Sequence, residues 1–181
     1  MYMDQHNPFH HTEDSMFHKI IHTDESWTGT VLRLAVALVI FPHGAQKLLG
    51  WFGGYGLLGT MGFLTGTAGL PWLIALAVIM IEFFGSLSIL AGLFSRIWSL
   101  GLLGLMTGII LTVHVRNGFF MNWSGAQSGE GFEFHLLVIG IAFALIVHGS
   151  GKFSMDRMLL HRAGKSARLE SQHQAAFGSA G

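Results

Sequence analysis

The sequence predicts an all-α integral membrane protein: a bundle of four transmembrane helices with a glycine-rich interfacial loop between the first two. Three observations carry that prediction. Of the 181 residues, 51% are hydrophobic and 11% charged, against about 25% charged in an ordinary soluble domain. The charges are also unevenly spread, with six in residues 1–29, seven in 150–181 and only seven across residues 30–149. Finally, the apolar runs do not alternate as barrel strands would, and lipid demands that each spanning segment satisfy its own backbone, which selects helices.

Composition excludes several function classes. Ten Lys and Arg balance ten Asp and Glu, with no basic stripe outside the C-terminal tail, so the chain is not a nucleic-acid binder. No cysteine is present, which removes disulfide frameworks, thiol catalysis, Cys-ligated zinc and iron–sulfur clusters.

Four apolar runs can be delimited in order: about Thr30 to Leu49, Trp72 to Phe94, Ile97 to Val115, and Phe134 to Gly149. Each approaches the ~20 residues that cross ~30 Å of hydrocarbon, the fourth only if it continues to Phe153. Domain boundaries follow: a polar His-rich tail over 1–29, a membrane domain over 30–157 and a flexible tail over 158–181. The first run follows a polar tail and lacks a small-residue cleavage site, so it is expected to be retained. Placing the N-terminus in the cytoplasm puts Lys19, Arg96, Lys152, Arg157, Arg162, Lys165 and Arg168 inside, and Lys47 and Arg116 outside. Seven against two predicts both termini inside.

The connections differ in kind. Gly50 to Leu70 holds eight glycines with Trp51, Phe52, Tyr55 and Phe63. It is too apolar for a free loop and too glycine-rich for a span, so it is expected in the interface or dipping partly inward. Arg116 to Glu133 is polar and long enough to cap one end of the bundle. Small residues should let helices approach closely, which nominates Gly101, Gly104 and Gly108 on helix three, Gly140 and Ala144 on helix four, and Gly85 on helix two. Pro42 should kink helix one beside His43.

Few residues can carry chemistry. Glu82 falls near mid-span, where a carboxylate must be paired, protonated or turned inward; it is the one catalytic candidate, as a proton acceptor or quinone contact. Its structural alternative is a bond to Ser, Thr or Arg of a neighbouring helix. Arg33 lies one turn inside helix one and is expected to snorkel to lipid phosphate. His43 and Lys47 share a helix face, and His114, Glu133 and His135 come to the same bundle end. Together they form a candidate mouth for a quinone headgroup, an anion or a metal; the alternative is interfacial side chains solvated at the rim. His114 and His135 should be level and His43 about 8–10 Å deeper, which argues against a three-histidine metal site, and no metal is assigned. Haem held by two facing histidines is disfavoured, and no cofactor is assigned. The N-terminal tail carries five of eleven histidines, His6, His10, His11, His18 and His22, and reads as a short amphipathic helix on the membrane or a partner. The basic C-terminal tail reads as partner-bound or lying on anionic lipid.

The order of these residues resembles the DoxX family. The resemblance runs from Arg33 through His43-Gly44-x-x-Lys47, the glycine-rich loop, Glu82-x-x-Gly85 and Gly92-Leu93-x-x-Arg96. It continues in Glu133-Phe134-His135-Leu136-Leu137 and in the closing Gly149-x-Gly151-Lys152-Phe153-Ser154-Met155-Asp156, covering about residues 30–157. It implies a four-helix bundle of a bacterial inner membrane, linked to respiratory or other quinone-coupled redox complexes. Some relatives in the wider four-helix group use a dithiol, which this cysteine-free chain lacks. The expected role is an accessory, non-catalytic subunit whose partners are other membrane-complex subunits and lipid or quinone. The alternatives are a quinone-reactive oxidoreductase subunit using Glu82 and the His43/Lys47 mouth, and a small-solute or lipid transporter; the transporter lacks the paired broken helices usual for a midplane site.

Overall fold

The computed structural model describes residues 20–23, 26–162 and 164–165, and among them every regular element is helical. His6, His10, His11, His18, Lys19, Arg168 and the expected amphipathic N-terminal helix lie mainly outside the described residues.

Helix α1 spans Trp27–Leu49, starting three residues before the apolar run because Ser26 caps it, its hydroxyl accepting from the Gly29 amide at 3.4 Å. It runs unbroken through Pro42 and ends at Gly50, whose φ of 76° is the left-handed conformation that stops a helix. The glycine-rich segment then folds as a single 3₁₀ turn, Trp51–Gly53, a short helix α2, Gly56–Gly62, and a π turn, Phe63–Thr67. Helix α3 spans Trp72–Ala91, with a five-residue π segment, Ile81–Gly85, at its centre. Its end is a Schellman turn: the Gly92 amide donates to the Ile89 carbonyl and Leu93 to Ser88. Helix α4 spans Ser95–Asn117, loosening into a π segment, Ile110–His114, and a last 3₁₀ turn. Helix α5, Glu133–His148, is followed by a turn and by helix α6 over residues 155–162.

Three of these helices, α1, α3 and α4, are long and apolar enough to cross a membrane, while α5 is a shorter apolar helix of 16 residues. The continuation to Phe153 that would bring this run to ~20 residues does not occur. Gly149 turns at φ 78° and the chain leaves the helix axis there, so α5 measures about 24 Å by helical rise.

One core joins these four helices. Val36, Ala37 and Ile40 of α1 meet Ile89 of α3, Leu102 and Met106 of α4, and Val138 and Leu145 of α5. Residues 20–23 are docked onto the bundle, with Ile21 and Thr23 buried, so the polar tail gives way to packed structure before residue 29.

The glycines that permit close approach are only partly those nominated on helices three and four. A methyl group on Gly104, Gly108 or Gly140 would meet nothing within 4 Å; among the described residues these three face open space and pack against no helix. The corrected reading has a physical reason: sequence spacing marks a small-residue face but not which way it points. Gly101 does face a neighbouring helix, since a Cβ there would stand 3.5 Å from the Ile81 side chain, and Gly85 faces the Trp98 ring. The tightest crossing is at Gly44, where a Cβ would stand 2.5 Å from the Glu82 carbonyl carbon and the Phe83 nitrogen. Gly44→Ala should therefore force α1 and α3 apart and cost about 1–3 kcal/mol. Gly104→Ala should be neutral or slightly stabilising. Thermal unfolding in detergent checks the contrast, and equal Tm values for the two variants would contradict it.

Candidate functional site

The polar residues gather at the two ends of the bundle. At the first end, residues 22–23 and 26–33 lock together with residues 92–96 and 149–156. Gly149 and Gly151, both at positive φ, let the turn after α5 lie against the start of α1. A Cβ on Gly151 would stand 2.6 Å from the Thr30 nitrogen, and one on Gly149 2.7 Å from the His22 carbonyl oxygen. The contact is sealed by hydrogen bonds: the Gly151 amide donates to Thr23 Oγ1 at 2.6 Å, and Thr30 Oγ1 donates to the Lys152 carbonyl at 2.8 Å.

Asp156 is the hub of this clamp. It is 2% exposed and accepts from the amides of Phe94 at 2.7 Å and Ser95 at 3.3 Å, so it caps α4 from a distant part of the chain. The Ser150 hydroxyl donates at 2.6 Å to Asp156 Oδ2, the oxygen that also accepts from the Ser95 amide, and lies 2.8 Å from Ser95 Oγ. Arg96 does the converse for α5, donating to the Ile146 and Val147 carbonyls at 2.6 and 3.1 Å, where a cation also suits the helix dipole.

Arg33 does not snorkel to lipid. It is 4% exposed and donates through one nitrogen to the carbonyls of Lys152 and Phe153 at 3.2 and 2.7 Å, with Asp156 as the opposite charge acting on it. The outward reading failed because it considered helix one alone; the carbonyls that hold the guanidinium come from 119 and 120 residues away. Gly92 is small for the same reason, since a Cβ there would stand 2.0 Å from the guanidinium.

The opposite end holds the candidate mouth. Glu82 sits in the π segment of α3 and forms an ion pair with Lys47 of α1, the carboxylate buried and the Lys47 side chain 28% exposed. The Gly44–Glu82 crossing sets the level of that pair, five residues from the end of α1. Helix α3 begins well beyond that level, so Glu82 is central in its own helix yet within reach of Lys47. His114 and His135 stack with ring centroids 4.3 Å apart. His114 Nδ1 lies 2.7 Å from the Glu130 carbonyl, whereas the buried His135 Nδ1 has no hydrogen-bond partner. The His43 ring is 6.5 Å from Phe134, which in turn is 5.5 Å from His135.

Glu133 belongs to the loop rather than to the mouth's free charges. Its Oε1 accepts from the Met121 amide at 2.9 Å and from the Trp123 indole at 3.3 Å. Glu130 accepts from the Asn122 amide at 2.7 Å, so two carboxylates order the segment that leads from α4 to α5. Among the described residues no set of three or more His, Asp or Glu side chains is placed to hold a metal ion. Sequence reasoning missed Ser95, Ser150 and Thr23, whose hydroxyls complete the clamp. A serine or threonine in an apolar chain carries no signal until its partner is known.

This geometry defines a class: a helical membrane protein whose polar residues are divided between a terminal clamp and a histidine-lined mouth. Residues 29–115 match the family model DoxX, and that region is a DoxX-family segment. No curated protein and no solved structure matches the chain. The match takes in Arg33, His43, Lys47, Glu82, Gly92, Arg96 and His114; the Gly149–Asp156 turn lies beyond it and packs directly onto its first and middle parts.

Proposed function

We propose that the protein is an accessory, non-catalytic subunit of a quinone-linked electron-transfer complex in a membrane. It crosses four times, with α5 and its flanking turns as the fourth span, and keeps both termini on the cytoplasmic side of a bacterial inner membrane. The observation that carries this reading is the use to which the polar residues within the bundle are put. Arg33, Arg96, Asp156 and Glu133 are each taken up by backbone groups of this chain, and Glu82 by Lys47. They build the bundle. Helix α4 meanwhile is the least covered of the three long helices, with 17% of its apolar span buried against 44% for α1. Its outward Gly104 and Gly108, with Gly140 of α5, allow a partner helix to approach closely. The glycine-rich segment rests in the interface, where Trp51, Phe52 and Tyr55 are exposed.

A second reading is favoured by one specific group, the buried and unpartnered His135 Nδ1. The residues present fit a quinone headgroup: His135 and His43 would hold its carbonyls beside Phe134, and the Lys47–Glu82 pair would supply a proton. A bound quinone would accept electrons delivered by another subunit.

One experiment separates the two. Membranes depleted of this chain should lose assembled complex and with it quinone-linked electron transfer, and a Glu82→Gln chain should restore both. Restored assembly without restored turnover would overturn the accessory role in favour of the quinone-handling one. Normal assembly and turnover in depleted membranes would contradict both readings.

A further inference from the structure

We propose that Phe52 and Phe153 are lipid anchors, one for each leaflet, which together with Trp51 and Trp27 fix the depth of α1 in the bilayer. The partner of this surface is the headgroup–glycerol layer of a phospholipid membrane. Backbone conformation gives the first indication. Among the described residues nine glycines adopt positive φ, and so do three other residues, Phe52, Phe94 and Phe153. That conformation is costly for a residue with a Cβ, yet at these three turns the chain keeps an aromatic ring. Phe94 is half-buried and opens α4, its amide donating to Asp156. Phe52 and Phe153 are instead 66% and 77% exposed, so burial of the ring does not offset their strain. Side chains of α1 hold both backbones in place: Gln46 Nε2 donates to the Phe52 carbonyl at 3.3 Å, and Arg33 to the Phe153 carbonyl at 2.7 Å. Two rings are thus turned outward at a backbone cost, the kind of strain that accompanies a function.

Their placement identifies what they meet. Each has an exposed tryptophan beside it, with ring centroids 5.6 Å apart for Trp27 and Phe153 and 6.4 Å apart for Trp51 and Phe52. The two pairs lie at opposite ends of α1, whose 23 residues span about 34 Å by helical rise. A bilayer's hydrocarbon is ~30 Å thick, so the pairs fall in its two interfacial layers, where aromatic side chains concentrate. Val31, Leu34 and Leu38 follow Trp27 by four, seven and eleven residues, share its helix face and are all exposed. They give the outer surface of α1 an apolar stripe that runs inward from the Trp27–Phe153 pair. At the clamp end Lys152 Nζ stands 5.4 Å from the Trp27 ring centroid, which sets a cation beside that pair for lipid phosphate. This side of the bundle meets lipid, and the outward glycines of α4 and α5 are left for the partner helix.

The test uses the full chain in vesicles of phosphatidylglycerol and phosphatidylcholine, with a nitroxide on one introduced cysteine; the chain has no cysteine of its own. Spin relaxation by oxygen and by a water-soluble nickel chelate reads the depth of the label. With all four aromatic residues intact, labels on Thr28→Cys and Leu49→Cys should lie in the headgroup–glycerol layers of opposite leaflets. A label on Leu34→Cys reports on removal of either pair, by Trp27→Ala/Phe153→Gly or by Trp51→Ala/Phe52→Gly. It should move in opposite directions in the two cases, by about 3 Å, two residues of helical rise. Phe153→Gly alone should keep the wild-type Tm in detergent, because glycine is unstrained there and offsets its greater freedom in the unfolded chain. An end label in bulk water or in mid-hydrocarbon would overturn the proposal. So would a Leu34 label that stays in place, or a marked loss of Tm in Phe153→Gly, which would make the ring a packing element. An unmoved label combined with loss of the assembled complex in membranes would assign the rings to a protein partner instead.

Discussion

Asp156→Ala is expected to be among the most damaging single substitutions in the chain. The carboxylate satisfies two backbone amides at the start of α4 and the Ser150 hydroxyl, and it supplies the opposite charge acting on buried Arg33. Loss of a cap costs about 0.5–2 kcal/mol, and leaving buried donors without their acceptor costs about 1–3 kcal/mol. Together these come to about 2–5 kcal/mol, a large part of a typical margin of ~5–15 kcal/mol. Asp156→Asn keeps an acceptor for the amides and should fall between the two. Thermal unfolding of detergent-purified protein measures this directly; a wild-type Tm for Asp156→Ala would show that the clamp does not hold the bundle.

The Lys47–Glu82 pair should show a large asymmetry. Lys47→Met leaves a buried carboxylate with no cation and should cost about 3–5 kcal/mol. Glu82→Gln is milder, because the partly exposed Lys47 can turn its amine toward the membrane surface; about 1–2 kcal/mol is expected. The double variant Lys47→Met/Glu82→Gln should recover most of the loss seen in Lys47→Met alone, a non-additivity well above 1 kcal/mol. Strict additivity of the two single effects would mean that the pair is not a functional unit of stability.

The helical fold was legible in the sequence because lipid leaves so few options. Long apolar runs without alternation had to be helices, and the runs sit within a few residues of α1, α3, α4 and α5. Ends were less legible. Helix α1 starts earlier than its apolar run because a serine cap sets its first residue, and α5 stops early because Gly149 adopts positive φ. Neither feature is a matter of hydropathy. The family order singled out Arg33, Gly92, Arg96, Gly149, Gly151 and Asp156 as a motif, but their common purpose was not readable, since each partner lies tens of residues away. Arg33 shows the difficulty well: on its own helix it looks like a cation near lipid, and only the turn at Lys152 and Phe153 buries it. The mouth was legible in membership and less so in geometry. The sequence offered Ser, Thr or Arg as structural partners for Glu82, whereas the backbone crossing at Gly44 brings it to Lys47.

The most direct test of the accessory role is the native mass of the protein released from its own membranes in mild detergent. A single chain weighs 19.8 kDa. The account predicts a much larger particle that resolves into this chain and different subunits, among them one with a redox cofactor. A particle containing this chain alone, as a monomer or as copies of itself, would contradict it.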